Sequence, residues 1–316
     1  MKLVISILIF SFLNVDAQTH AEEHYEYDRL HKTMKGYYNR GLYHKAVLYP
    51  DSLKSNKYVD ATSYYFFARI YSLSNEFDKT LFNLEKAVKG GITKTQIEQM
   101  YDLDGFRESN MHILYESNYD KWHEEYLVAE QGLILDSIYY RELDSMNILF
   151  TKLGRELWVK IIKDSVIYST DSVGRYVARI REDSLFYEMT TLIIKNGFPT
   201  KKRIGEIFYK VSRNVRHQMP DDYDVENKDW FTIKAMIFAE MKTGKLKPFY
   251  YALIEDRIEL NKNKVQKFGT IPYNLKFKNP EELNIRRKAV GLCSIQLEMW
   301  SEARELPKSL KEVNFK

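Results

Sequence analysis

The chain has a single cysteine, Cys293, among its 316 residues. An internal disulfide is therefore excluded, and stability has to come from packing. Cys293 stands next to Leu292 and close to Ile295, and it reads as a small buried apolar residue rather than a nucleophile. Proline and glycine are scarce, at seven and thirteen residues. That disfavours a turn-rich all-β fold and favours long helices. Histidine is scarce as well, with seven in all and six of them before residue 124. An excess of one charge is missing: 48 basic against 44 acidic side chains leave only +4. Such a balance provides no concentrated basic face and argues against a nucleic-acid partner. There is no glycine-rich phosphate loop followed by Lys-Ser or Lys-Thr, no Gly-x-Gly-x-x-Gly and no Gly-x-Ser-x-Gly elbow, and no cofactor is expected. His20 and His24 are four apart, but not in the His-Glu-x-x-His order, and they lie near a frayed terminus. No metal is expected there.

Long apolar runs are also lacking, with one exception at the amino end. Lys2 precedes an almost continuous apolar stretch from Leu3 to Leu13, and Val15-Asp16-Ala17 has the small residues of a cleavage site. About eleven apolar residues are too few to cross a hydrocarbon core that needs roughly 20. The segment 1–17 is thus expected to be an export signal cut after Ala17, which places the mature chain in the periplasm or outside the cell. No stable membrane insertion of the mature chain is expected.

What is present is a globular composition, 44% hydrophobic and 14% aromatic, with 24 tyrosines. Shifting the chain on itself by about 34 residues sets Leu30 on Tyr64, Tyr37 on Tyr71, Ala46 on Thr80 and Leu53 on Ala87. These offsets resemble the tetratricopeptide repeat, whose paired helices need small residues where they cross and aromatics beside them. Tyr64, Phe67, Ala68, Tyr71, Leu84 and Ala87 match best. Asn75-Glu76-Phe77-Asp78 would form the inter-helix turn, and Gly90-Gly91 would end the second helix. The first unit departs from the pattern, with Met34 at a small position and Pro50 interrupting its second helix. Tyr101 to Arg107 reads as a short helical cap.

The expected architecture is mainly α: tetratricopeptide-like antiparallel hairpins over 18–117, a connecting helix over 118–142, and a mostly helical domain over 143–316 with one small β-hairpin. In the last, Leu185, Met189, Leu192 and Ile193 share one helical face, which Asn196-Gly197 ends. Thr200 is placed to cap a helix running from Lys201 to Arg213. Further helices are expected over 229–241 and from Pro248 to about Leu260. Val265, Phe268 and the alternation Tyr273, Leu275, Phe277 suggest two strands around Gly269-Thr270-Ile271-Pro272.

One polar constellation stands out. His217 lies at a helix end, where it could cap the final carbonyls or act as a general base oriented by Asp256 or Asp221. Asp256-Arg257 sits among Tyr251, Leu253, Ile254, Ile258 and Leu260, and charges in such surroundings need partners. Arg286 and Arg287, with Gln266 and Thr270, could complete a closed ion-pair network. The same guanidinium forks suit an anionic ligand.

The order Asn196-Gly197-Phe198-Pro199-Thr200, Ile204-Gly205, His217, Asp256-Arg257, Gln266-x-Phe268-Gly269-Thr270 and Arg286-Arg287-x-x-Val290-Gly291-Leu292 resembles an uncharacterised bacterial domain family of unknown function. The resemblance covers roughly 143–300. It implies a mostly helical domain with Phe198, Pro199 and Thr200 at a helix junction. It also implies a polar set of His217, Asp256, Arg257, Gln266, Gly269, Thr270, Arg286 and Arg287. Gln218-Met219 replace the family's usual Ala-Asp, Phe268 replaces a tyrosine, and Ile271 replaces a glutamine. Two functions are open at this point. One is an exported scaffold that holds a protein or peptide. The other is an enzyme, perhaps a hydrolase, or an anion binder using His217, Asp256, Arg257 and Arg286.

Overall fold

A computed structural model describes the backbone of residues 2–133, 137–163, 172–205, 207–218, 228–272 and 276–315. It is mainly helical, and no strand forms among the described residues. The chain divides into two compact units, one made of 1–131 with 267–316 and the other of 132–266. The domain expected over 143–316 is thus parted at Gln266 and Lys267, and its last fifty residues belong with the amino-terminal helices.

The first unit begins with α1 (Lys2–Tyr38), followed by the short α2 (Tyr43–Ala46) and α3 (Pro50–Leu53). Pro50 stands at the first turn of α3, where its missing N–H costs nothing, so the second helix of this pair is broken in two as its proline requires. Next come α4 (Ala61–Leu73) and α5 (Phe77–Val88), a helical hairpin closed by a three-residue turn. Asp60 caps α4 by accepting from the Ser63 amide at 2.9 Å. Phe67, Ala68, Tyr71, Leu84 and Ala87 are fully buried along the crossing. Small side chains there let the two backbones approach, and the rings fill the flanks. Two cores result. One holds Met34, Leu53, Phe67, Ile70 and Tyr71; the other holds Leu84, Val88, Leu103, Phe106 and Tyr115.

The short α6 (Lys94–Glu98), a turn at Tyr101–Leu103 and α7 (Asp104–Arg107) close that second core with Leu103 and Phe106. The long α8 (Asn110–Leu133) then lays Tyr115, Tyr119 and Trp122 on it. Its opposite side exposes Ile113, Leu114, Leu127 and Val128.

The second unit comprises α9 (Ser137–Lys163), α10 (Ser172–Asn196), α11 (Lys201–Ile204), α12 (Ile207–Gln218), α13 (Lys228–Lys242) and α14 (Pro248–Asn263). Its core contains Leu143, Met189, Ile193, Phe198, Ile204, Val211, Ile233 and Ile254. The segment expected to connect the domains therefore holds the end of α8 and the start of α9. As expected, Asn196 ends α10, and the Gly197 amide donates to the Ile193 carbonyl at 2.8 Å. The single helix expected over 201–213 is two, separated at Gly205. Thr200 precedes α11 in extended backbone, yet its side chain makes no capping bond, so the expected cap is absent.

The remaining helices, α15 (Leu283–Ala289), α16 (Ile295–Ser301) and α17 (Lys308–Lys311), return to the first unit. They gather a small core of their own from Phe277, Leu283, Ile295, Met299 and Leu310. α15 and α16 both lie against α1. The hairpin expected around Gly269 does not form among the described residues; positions 273–275 of its second arm lie outside them.

Candidate functional site

The predicted polar residues fall into both units. Thr270, Arg286 and Arg287 belong to the first, and His217, Asp256, Arg257 and Gln266 to the second. His217 stands in the last turn of α12, and its side chain lies outside the described residues, as does Asp221. Asp256 on α14 and Gln266 both have 0% exposure, whereas Arg257 and Thr270 are half-buried. A carboxylate with no exposed surface is poorly placed to meet an incoming substrate.

Arg286 and Arg287 bind backbone. Arg286 Nε donates to the Lys267 carbonyl at 2.9 Å, and its Nη groups reach the carbonyls of Lys278 and Asn279. Arg287 is 1% exposed. Its Nε donates to the Cys293 carbonyl at 2.6 Å and its Nη1 to the Phe268 carbonyl at 2.7 Å. The two forks thus tie the carbonyls of Lys267, Phe268, Lys278 and Asn279 to α15, and Arg287 adds that of Cys293.

The third contact of Arg287 opens on a charge cluster that the sequence pattern does not show. Its Nη2 lies 3.4 Å from Glu298 Oε2. Glu298 Oε1 accepts from Lys32 on α1 at 2.8 Å. Lys35 pairs with Glu302 at 2.8 Å, and Asp28 accepts from the Cys293 amide at 2.8 Å. Asp28, Lys32 and Lys35 therefore lie on the side of α1 that carries the carboxyl segment. His24 joins them, its Nδ1–H donating to the Gly291 carbonyl at 2.6 Å. Gly291 has a φ of +85°, and a Cβ there would lie 2.9 Å from the Ala21 carbonyl, so glycine is required by both conformation and space.

The donor atoms of Asp28, Cys293 and Glu298 lie within 4.8 Å of one another. The donor chemistry does not suit a cation, because Lys32 and Arg287 already bring positive charge to the same carboxylate. Burial and then Asp28 push the Cys293 thiol well above its ordinary range, so a thiolate ligand or nucleophile is disfavoured. Cys293 is buried, as its apolar neighbours suggest.

This cluster carries a pH prediction. Burial alone would raise the Glu298 carboxyl, but Lys32 and then Arg287 outweigh it and hold the group below the usual range. A depressed folded value stabilises the fold above the unfolded value of about 4.3, and the contribution is lost as pH falls through the folded one. Burial lowers Lys32, while Glu298 and Asp28 raise it overall. Its contribution is present below about 10.4 and disappears as pH rises through the folded value. Urea unfolding midpoints are expected to fall below about pH 5, and Glu298→Gln is expected to flatten that acid limb. An unchanged limb in the variant would refute the role of Glu298.

A second constellation lies on α1 and α4. Tyr38 OH donates to Asp102 Oδ2 and accepts from Arg69 Nη2 at 2.5 Å, while Arg69 Nε donates to Asp102 at 2.7 Å. The Arg69 guanidinium lies 5.2 Å from the Tyr38 ring centroid, 5.8 Å from Phe66 and 6.0 Å from Tyr65. Phe66 in turn meets His31 at 6.0 Å and Tyr38 at 4.9 Å. Burial, then the bond to Asp102, pushes the Tyr38 phenol up, so it remains a neutral donor. All five of His31, Tyr38, Tyr65, Phe66 and Arg69 are partly exposed. The spacing of Phe66 and Arg69 along α4 could have revealed one face, but the Asp102 partner comes from a separate turn.

Among the described residues, no helix is long and apolar enough to cross a membrane. Comparison of the chain with known protein families, curated proteins and solved structures finds no match.

Proposed function

We propose that the chain is an exported helical-repeat module that holds a protein or peptide partner along α1 and α4. The observation that supports this reading is the band of His31, Tyr38, Tyr65, Phe66 and Arg69. Rings with two rotatable angles, fixed by the Arg69–Asp102 pair at 2.6 Å, offer contact area with little conformational entropy left to lose. The tetratricopeptide-like offsets of Tyr64 to Ala87 support the same reading, because stacked helical pairs leave one side of their first helices open to a ligand. The other reading, an enzyme or anion binder built on His217, Asp256, Arg257 and Arg286, has less support. Arg286 and Arg287 are committed to backbone carbonyls, and Asp256 has no exposed surface.

Panning a random peptide library on the full chain is expected to give binders with micromolar Kd by fluorescence anisotropy. Their affinity should drop at least about tenfold against Phe66→Ala or Tyr65→Ala, with helicity unchanged by circular dichroism. An absence of binders, or binders indifferent to both substitutions, would overturn the proposal.

A further inference from the structure

The outward side of α8 is a stripe with a symmetry of its own. Ile113 and Leu114 lie near its start, Leu127 and Val128 near its end, and the exposures are 67%, 46%, 46% and 66%. Between them Ser117, Asp120, Lys121 and Glu124 are all exposed. The pattern reads the same from either end: each apolar pair is equally far from the midpoint between Asp120 and Lys121, and Ser117 mirrors Glu124. Tyr115, Tyr119 and Trp122 point the other way, into the core, so the stripe is not their overflow. The acids flanking it are already neutralised, Glu116 by Lys94 at 2.6 Å and Glu125 by Lys89 at 2.8 Å.

We propose that this face is a homodimer interface, in which α8 packs antiparallel against α8 of a second copy about a two-fold axis. A two-fold contact is isologous, so one surface has to be its own complement, and a stripe that mirrors itself is. In that arrangement Ile113 meets Leu127 of the second copy and Leu114 meets its Val128, at both ends of about 22 Å of helix. Ser117 donates to Glu124 across the contact. At the axis two Asp120 and two Lys121 form an electroneutral cluster of four charges. Single-helix contacts fall short of the roughly 1,600 Å² of a standard interface, so the dimer is expected to have a micromolar Kd. The inference does not rest on the peptide-binding reading.

Sedimentation equilibrium of the full chain from low micromolar to millimolar concentration tests it. The wild type is expected to dimerise. Asp120→Lys places four positive charges at the axis and Lys121→Asp four negative ones, and each should weaken self-association by at least about tenfold. An equimolar mixture of the two variants should restore dimers, since the charges are then complementary. The substituted residues are exposed, so folding is not at stake. A wild type that stays monomeric throughout would overturn the proposal, as would a dimer that neither variant affects.

Discussion

Replacing Arg287 by methionine is expected to lower the unfolding free energy by about 3–5 kcal/mol, the cost of removing one partner from a buried charge pair. Methionine keeps much of the side-chain volume, so the effect reads the guanidinium rather than a cavity. Three acceptors lose the guanidinium together: the Cys293 and Phe268 carbonyls and the Glu298 carboxylate, which keeps Lys32. Orphaning a buried carbonyl costs about 1–3 kcal/mol by itself. Arg287→Lys should rescue little, because one ammonium cannot reach three acceptors fixed to the geometry of a planar fork. Urea unfolding measures both variants, and a loss under about 1 kcal/mol for the methionine variant would sink the idea.

The second large effect concerns Gly36, buried on α1 where Trp300 crosses. A Cβ built on Gly36 would lie 1.9 Å from Trp300 Cζ3 and 2.1 Å from its Cε3. Trp300 cannot easily retreat. Its ring meets Tyr37 edge-on at 5.3 Å, Arg40 lies over it at 4.4 Å, and its carbonyl accepts from Arg40 at 2.7 Å. Gly36→Ala is therefore expected to destabilise by about 1–3 kcal/mol through overpacking, despite the gain of about 1 kcal/mol in helix propensity. The sign should reverse when the ring is absent. In a Trp300→Ala background Gly36→Ala is expected to be neutral or stabilising. A double-mutant cycle on thermal or urea unfolding measures this coupling, and additive effects would show that the two residues do not meet.

Both predictions concern contacts that lie far apart in the chain, and this is where reading from residues alone reaches its limit. The α4–α5 hairpin is legible because its determinants are local: small residues at the crossing, aromatics at helical spacing and Gly90-Gly91 at the end. The burial of Cys293 is legible for the same reason. The return of 267–316 to α1 is not, because it rests on polar bonds between residues more than 260 positions apart, such as His24 with Gly291 and Lys32 with Glu298. No periodicity marks such pairs. Arg286 and Arg287 read as partners for Asp256 or for an anion, whereas they hold backbone carbonyls, which carry no signature in a sequence. The alternation around Gly269 gives no strand among the described residues, and positions 273–275 of its second arm lie outside them. On α14 the apolar surroundings of Asp256 did foretell its burial.

The seat of the carboxyl segment on α1 has a consequence in time. Ribosomes extend a chain by about 5–20 residues per second, so Gly291 follows His24, 267 positions earlier, by roughly 15–50 s. Throughout that interval Asp28, Lys32 and Lys35 face water instead of their acceptors and donors. The helices synthesised first are therefore among the last to be completed, and the nascent chain is held open at its own beginning until its end is made.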